Sequence, residues 1–527
     1  MPMKLFKVNV LRVEVKVSGG NVNGGKSVNL FPFQKQDVKK LRKQTSRLVG
    51  SDPGTGKTYV GIALDLENRK MATKKNGYRV RKTLIVCPKS VISVWDDHLM
   101  SLTDENVMII DTKNRKQFIM DVLNPNLSGY FICNWDALRL MKELAGVKWF
   151  HIIADEVHRA KNRKAQATQA LKKLPTVYKT GMSGTPADNK PQDLWSIINW
   201  LWPRYYTSYW RFTKAYCISE TSHQGYSKVV GLKNVEHLQK EMKPWFVRRR
   251  KEDVLLDLPD KYYTRIWVDL TPAQRKAYDQ MRKTMVAWCE EYSDELERND
   301  PIIAQAVVAQ LVRLQQYADG YVVPQLDENG RQVVKKVWNK KLEQYEEKLQ
   351  WSIDDPSSKL DVLMDLIRDR DGEQIVVFSQ FRSVIELFEK RLLREKIPYG
   401  LLTGSVSQED RARNVQAFQS GEIQVFAGTI AAGGVGITLT KARTIIFIDR
   451  SWSPAINLQA EDRLHRIGQK DAVEVIDLMA RNTVDLGRAQ KVATKWKWLQ
   501  ILLGDEVDLD RFAQVMKGED NGNTIEV

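Results

Sequence analysis

Cysteine is scarce: Cys87, Cys133, Cys217 and Cys289 are the only four in 527 residues, and no two form a C-x-x-C pair. That excludes a disulfide framework and gives no zinc-site spacing, so a reducing cytosol is the expected setting. Long apolar runs are missing too. No stretch approaches the ~20 residues that would span a bilayer. The N-terminal MPMKLFKVNVLRVEVKV alternates charged and apolar residues instead of offering the apolar core of a signal peptide. Low-complexity tracts and solenoid periods are absent, as are a Ser-His-Asp pattern and a nuclease-like acidic cluster. Negative charge is in deficit: 82 Lys and Arg against 65 Asp and Glu leave a net +17. The balance favours a polyanionic partner, most simply nucleic acid. Nothing implies a membrane, zinc or an oligomer.

What is present is a repeated alternation of short apolar runs and helical stretches. Residues 1–29 read as a strand-rich extension with Gly19, Gly20, Gly24 and Gly25 breaking the pattern. The runs Arg47–Gly50, Thr83–Cys87, Tyr130–Cys133, Phe150–Ala154 and Tyr178–Met182 then predict parallel strands covered on both faces. The pattern returns in Ile375–Phe378, Tyr399–Leu402, Val425–Gly428, Thr444–Ile448 and Val473–Leu478. The expected fold class is α/β, with two parallel-sheet lobes and helical insertions between and around them. Expected boundaries are an extension over 1–29, a first lobe over 30–240 with a protrusion near 190–240, and a linker and helical insertion over 241–350. A second lobe follows over 351–490, then a helical brace and acidic tail over 491–527. The Asp354-Asp355-Pro356-Ser357-Ser358 turn opens the second lobe.

Between the first predicted strand and a helix lies Ser51-Asp-Pro-Gly-Thr-Gly-Lys-Thr58, the context a phosphate loop requires. Gly54 and Gly56 let consecutive N–H groups face phosphates. The helix N-terminus adds a favourable dipole. Lys57 would reach the β- and γ-phosphates and Thr58 would ligate Mg²⁺. Asp52, Pro53, Gly54, Thr55, Gly56, Lys57 and Thr58 are the candidate nucleotide-binding residues, with Ser51 where a glycine is usual. Asp155 and Glu156 end a buried strand, at the sheet edge where ligands bind. Asp155 would hold Mg²⁺ and Glu156 would polarise the attacking water. Far along the chain, Ser453 and Pro454 predict the start of a helix running to Arg466. On it Gln459, Arg463 and Arg466 fall at i, i+4 and i+7 on one face, as candidates to meet the γ-phosphate. ATP would then sit between the lobes.

In order and content these motifs resemble the Swi/Snf-like branch of helicase superfamily two, over about residues 30 to 490. Leu30-Phe-Pro-Phe-Gln34 resembles the adenine-reading glutamine motif, Leu84–Trp95 motif Ia, Asp155–Asn162 motif II and Met182-Ser-Gly-Thr-Pro186 motif III. Val377-Phe-Ser-Gln380 resembles motif IV, Ala432–Leu439 motif V, and Gln459-Ala-Glu-Asp-Arg-Leu-His-Arg-Ile-Gly-Gln469 motif VI, whose Ile-Gly-Gln ending is specific to the branch. Lys243–Val254 followed by Leu258-Pro-Asp-Lys261 resembles the linker between lobes. The resemblance implies two RecA-like lobes and ATP and Mg²⁺ as cofactors. It adds Gln34 and Gly436 to the nucleotide site, and implies double-stranded DNA across both lobes. Lys89, Ser90, Asn134, Ser379, Gln380, Thr429 and Trp452 are the contacts it implies.

Thr438 stands where an asparagine is common, and no chromatin-reading module is recognisable. A compact bacterial or phage member is expected, cytoplasmic, or nuclear if eukaryotic. The basic stretch Arg69–Lys82 is open between a phosphate-tracking loop, a localisation-like patch and a solvated surface. The leading function is a DNA-stimulated ATPase translocating on duplex DNA. A strand-separating DNA or RNA helicase and an annealing helicase on forked DNA are the alternatives. A binding scaffold with a dead ATPase is opposed by the intact Lys57, Thr58, Asp155, Glu156, Arg463 and Arg466.

Overall fold

Strands apolar on both faces need helices on both sides, and both halves of the chain meet that need in the same way. The computed structural model describes residues 29–76, 80–110, 114–187, 190–221, 227–255, 257–291, 301–339, 344–370, 372–433, 437–505 and 525–526. The extension expected over 1–29 and the acidic tail lie almost wholly outside these. In the first lobe the strands are β1 (Ser46–Val49), β2 (Lys82–Cys87), β3 (Val107–Ile109), β4 (Gly129–Asn134), β5 (Trp149–Asp155) and β6 (Thr176–Met182). A hairpin, β7 (Cys217–Thr221) and β8 (Ser227–Leu232), follows, then the short β9 (Phe246–Val247). Seven of these form a sheet in the order β3-β4-β2-β5-β6-β1-β9, with every pairing parallel. Every residue of β1 and β2 is buried, which is why their sequences read as unbroken runs.

The second lobe repeats the plan with one strand borrowed from upstream. β10 (Lys261–Val268) precedes the insertion in sequence. The insertion carries the antiparallel pairs β11 (Tyr321–Pro324) with β14 (Trp351–Asp354) and β12 (Val334–Asn339) with β13 (Gln344–Leu349). Then come β15 (Ile375–Ser379), β16 (Tyr399–Leu402), β17 (Val425–Thr429), β18 (Thr444–Phe447), β19 (Val473–Ala480) and the terminal β20 (Ile525–Glu526). Their order is β16-β17-β15-β18-β19-β10-β20, again all parallel.

This corrects the expected linker over 241–350 in two ways. Its residues 261–268 belong to lobe 2, because Lys261–Val268 is rich in aromatic and β-branched side chains and matches β19 over eight residues of register. The insertion is also less helical than expected: helices Pro272–Glu291 and Pro301–Asp319 are followed by the strand pairs above.

One buried charge cluster ties the insertion to lobe 2. The Lys359 ammonium, fully buried, lies 2.8 Å from Asp319 and 2.7 Å from Asp485 and donates to the Ile448 carbonyl at 3.0 Å. Those partners end the helix Pro301–Asp319 and begin the helix Val484–Leu503. Removing the cation leaves two carboxylates buried without it. Lys359→Met is therefore expected to lower stability by roughly 3–5 kcal/mol, read from the urea midpoint. A loss below about 1 kcal/mol would mean that water reaches the carboxylates when the lysine is gone.

Candidate active site

The phosphate loop is shaped by close backbone approaches. After β1 the chain passes Gly54 and Gly56 at φ of +82° and +76° and enters the helix Lys57–Asn76. Such φ values favour glycine. Space imposes the same choice at Gly56, where a Cβ would stand 2.4 Å from Gln34 Nε2. Gln34, 2% exposed, donates from Nε2 to the carbonyls of Thr55 and Gly56 at 2.9 and 3.5 Å, while its Oε1 accepts from Phe31 N at 2.9 Å. From the other side Gly184 presses on the loop: a Cβ there would lie 2.8 Å from Pro53 Cδ. Ser51 is buried, so a small side chain fits where a glycine is usual. Lys57 Nζ donates to the carbonyls of Ser51 and Asp52 at 2.9 and 3.1 Å, and the Thr55 hydroxyl donates to Asp52 O at 2.8 Å. Thr58 follows at the second position of the helix.

Asp155 closes β5, and Glu156 takes the left-handed conformation at φ 49°. That sharp turn directs two neighbouring carboxylates differently. Asp155 accepts from Trp95 Nε1 at 3.0 Å. Glu156 lies 3.1 Å from His158 Nδ1, which also sits 3.0 Å from Ser183 Oγ in motif III. Burial raises the Asp155 carboxyl above the usual carboxylate range, with the Glu156 charge adding to the rise. Burial works against the Glu156 charge as well, but His158, Lys57 and Arg463 together hold it below the usual range. The arrangement suits Mg²⁺. It offers one carboxylate and one hydroxyl rather than a protein cage, and Mg²⁺ keeps waters and takes phosphate oxygens.

Lobe 2 completes the site. Ser453 caps the helix Pro454–Glu461 by accepting from Ile456 N at 3.4 Å. The expected helix to Arg466 is too long: it ends at Glu461, and residues 462–468 form turns. There Leu439 N bonds the Arg463 carbonyl at 2.9 Å, and the Gln469 side chain donates to the carbonyls of Ala442 and Leu464. Gln459 and Arg463 still act on lobe 1, and Arg466 stands beside it at Cβ, although its guanidinium donates to Ile437 O of lobe 2 at 3.4 Å. Gln459 Nε2 donates to Glu156 Oε1 at 3.4 Å. The Arg463 charge acts on Glu156. Arg466 Cβ would stand 3.7 Å from a Cβ built on Gly54. Gly436 lies outside the described residues.

The implied DNA contacts sit at the C-terminal ends of parallel strands. Lys89 and Ser90 follow β2 and Asn134 ends β4, while Ser379 and Thr429 end the paired β15 and β17, with Gln380 next. Two of these have structural duties. Asn134 caps the helix Trp135–Leu140 through Asp136 N and Ala137 N. Ser379 is fully buried and gives its hydroxyl to Asp449, so its side chain positions the loop after β15 instead of touching DNA. Trp452 is half-buried, and its indole donates to Gln315 Oε1 of the insertion at 3.2 Å.

The basic stretch Arg69–Lys82 turns inward at its two ends, while Lys70 and Lys74 between them are exposed. Arg69 is buried against Asp65 at 2.6 Å and Glu105 at 3.1 Å, and Lys82 is buried on the carbonyls of Val122 and Asn124. These cations hold the fold together and cannot track phosphates. Trp95, His158 and the basic residues Arg248–Lys251 were not among the candidates. Each lay inside a motif or the linker segment that the resemblance picked out, but nothing in the sequence singled out its side chain.

Residues 33–318 match the SNF2-related domain, and residues 358–468 match the helicase conserved C-terminal domain. An uncharacterized ATP-dependent helicase of Mycoplasma genitalium is 26% identical, covering 87% of this chain and 40% of that protein. A chromodomain-helicase-DNA-binding protein 1-like of Danio rerio is 26% identical, covering 87% of this chain and 42% of that one. The chain thus spans less than half the length of these curated relatives. Among solved structures, the Sulfolobus solfataricus SWI2/SNF2 ATPase core in complex with dsDNA is 23% identical, covering 93% of this chain and 97% of that chain, with a TM-score of 0.40.

Proposed function

Because this chain belongs to the SNF2-related family of helicase-type ATPases, we propose that it hydrolyses ATP between its two lobes and uses the cycle to move along double-stranded DNA. The observation that carries the reading is the meeting of Gln459, Arg463 and Arg466 from lobe 2 with Glu156 and Gly54 from lobe 1. The loop amides and Lys57 hold the phosphates, and Glu156 orients and polarises the attacking water. Arg463 and Arg466 neutralise charge that grows in the transition state. Thr58 and Asp155 would hold Mg²⁺, which when bound would offset the charge of the phosphates. Half of the site belongs to each lobe, so closure over ATP and release after hydrolysis move one lobe against the other. Phosphate release measured side by side without nucleic acid and with duplex DNA, single-stranded DNA and RNA tests the reading. Stimulation by RNA alone would move the substrate away from DNA.

Duplex tracking is favoured by the net charge of +17 and by the branch-specific ending of motif VI. Phosphate contacts should dominate, so binding should weaken steeply with salt and show little sequence preference. Translocation is expected to displace the third strand of a triplex in an ATP-dependent way. Trp452→Ala should lower that displacement more than it lowers hydrolysis, because the loop after β18 is gripped by Gln315 of the insertion. Equal losses in both would show that Trp452 serves the ATP site or the core alone. A strand-separating reading needs a stacking platform. Among the described residues, Tyr205 and Trp210, 79% and 70% exposed and close in sequence to Arg204 and Arg211, are aromatics of the kind such a platform uses. Opening of a forked duplex without triplex displacement would favour it.

A further inference from the structure

Arg248-Arg249-Arg250-Lys251 is the most basic run of the linker, and all four of its cations are engaged inside the chain. Arg248 lies 2.6 Å from Asp52 of the phosphate loop and 2.7 Å from Asp505 beyond the last long helix, and donates to Gly50 O at 2.7 Å. Arg249 pairs with Asp37 at 2.6 Å, on the same helix as Gln34. Arg250 pairs with its own neighbours Glu252 and Asp253. Lys251 is different, because it reaches across to the other lobe. Its ammonium bonds the Asp462 carboxylate and donates to His465 O at 2.6 Å.

The placement of those two partners matters. Asp462 immediately precedes Arg463, and His465 immediately precedes Arg466. The helix has already ended at Glu461, so the ladder of a regular helix no longer sets the arginines' position. At the other end, Lys251 is fastened to the phosphate loop. Its own N donates to Asp52 Oδ2 at 3.0 Å, and Asp52 N donates to Arg249 O at 2.9 Å. Its Cε would stand 3.2 Å from a Cβ on Gly54. With 7% exposure, the side chain is shielded from water along its length.

We propose that Lys251 is a positioning residue for the hydrolytic reaction, registering Asp462–Arg466 of lobe 2 against the phosphate loop so that Arg463 and Arg466 meet the transferring phosphate. The inference rests on the ATP-hydrolysing reading. It assigns to the linker the role of sharing one cation between both halves of the site. Burial disfavours the ammonium and Asp462 supports it, so the pair depends on the lobes remaining in contact. A misplacement of about 1 Å at a reacting centre can cost on the order of 10²-fold in rate. The consequence of losing Lys251 should therefore appear in turnover rather than in ATP affinity.

The test compares the whole chain with Lys251→Met, Arg463→Ala and the double variant in single-turnover hydrolysis at saturating duplex DNA. Binding of a fluorescent ATP analogue and thermal melting are measured alongside. Lys251→Met is expected to slow hydrolysis on the order of 10- to 10²-fold with near-normal nucleotide affinity. In the double variant it should add little to the Arg463→Ala loss, because its effect passes through that arginine. Lys251→Arg, which keeps the charge, should recover part of the rate. A folded Lys251→Met with wild-type turnover, or losses that multiply in the double variant, would overturn the proposal. If Lys251→Met does not fold, Asp462→Asn breaks the same pair from lobe 2 and must show the same dependence on Arg463. Absence of hydrolysis by the unaltered protein would instead sink the ATPase reading itself.

Discussion

Glu156→Gln is expected to reduce ATP turnover on the order of 10²- to 10⁴-fold, the usual share of a general base, while ATP still binds. The amide keeps the shape that meets Gln459 and His158 across the site but cannot hold the charge that polarises water. Thr58 and Asp155 remain to hold the metal, so affinity should persist. Lys57→Ala is expected to abolish turnover by a different route, removing the cation that lies over the loop carbonyls of Ser51 and Asp52. That cation belongs on the β- and γ-phosphates, so ATP affinity should fall with it. Phosphate release with duplex DNA, nucleotide binding and circular dichroism together separate the two outcomes. A folded variant of either kind turning over within about tenfold of wild type would remove these residues from the reaction.

The second large effect belongs to lobe 2. Arg463→Ala and Arg466→Ala should each slow hydrolysis on the order of 10³-fold with little change in KM, because an arginine finger acts mainly on the transition state. Burial pulls the Arg463 guanidinium down to about 10, with Asp462 opposing the drop, so it stays cationic at neutral pH. Its charge is felt at Glu156 across the interlobe cleft. The Arg466 Cβ stands beside Gly54, while its guanidinium donates to Ile437 O of lobe 2 at 3.4 Å and must swing from there to meet a phosphate. A rise in KM equal to the fall in kcat/KM would mean that the arginines only bind ATP, and the two-lobe mechanism would lose its chemical basis.

Much of this site was legible because its signals are local. A phosphate loop needs glycines at fixed spacing between a strand and a helix, and Gly54, Gly56, Lys57 and Thr58 stand at that spacing. Parallel strands buried on both faces leave unbroken apolar runs, so ten strands were located to within a residue or two of their ends. The strand Val107–Ile109 escaped notice because it is three residues long and only half-buried. The helix carrying Gln459 was over-extended because periodicity carries no record of tertiary pins such as Leu439 N on Arg463 O.

The residues 1–527 by themselves determined two parallel-sheet lobes, the phosphate loop, the acid pair and the identity of the arginines that face them. Each of those follows from residue type at short separation. Tertiary structure alone decided that β10 crosses to lobe 2, that Ser379 and Arg69 turn inward, and that Lys359 joins three elements. It also decided that the basic run Arg248–Lys251 spends its charge inside the chain, on Asp37, Asp52, Asp462 and Asp505. The reason is one of range. A cation in a sequence reads the same whether its partner is solvent, a phosphate or a carboxylate two hundred residues away, and only packing brings that carboxylate within ion-pair distance.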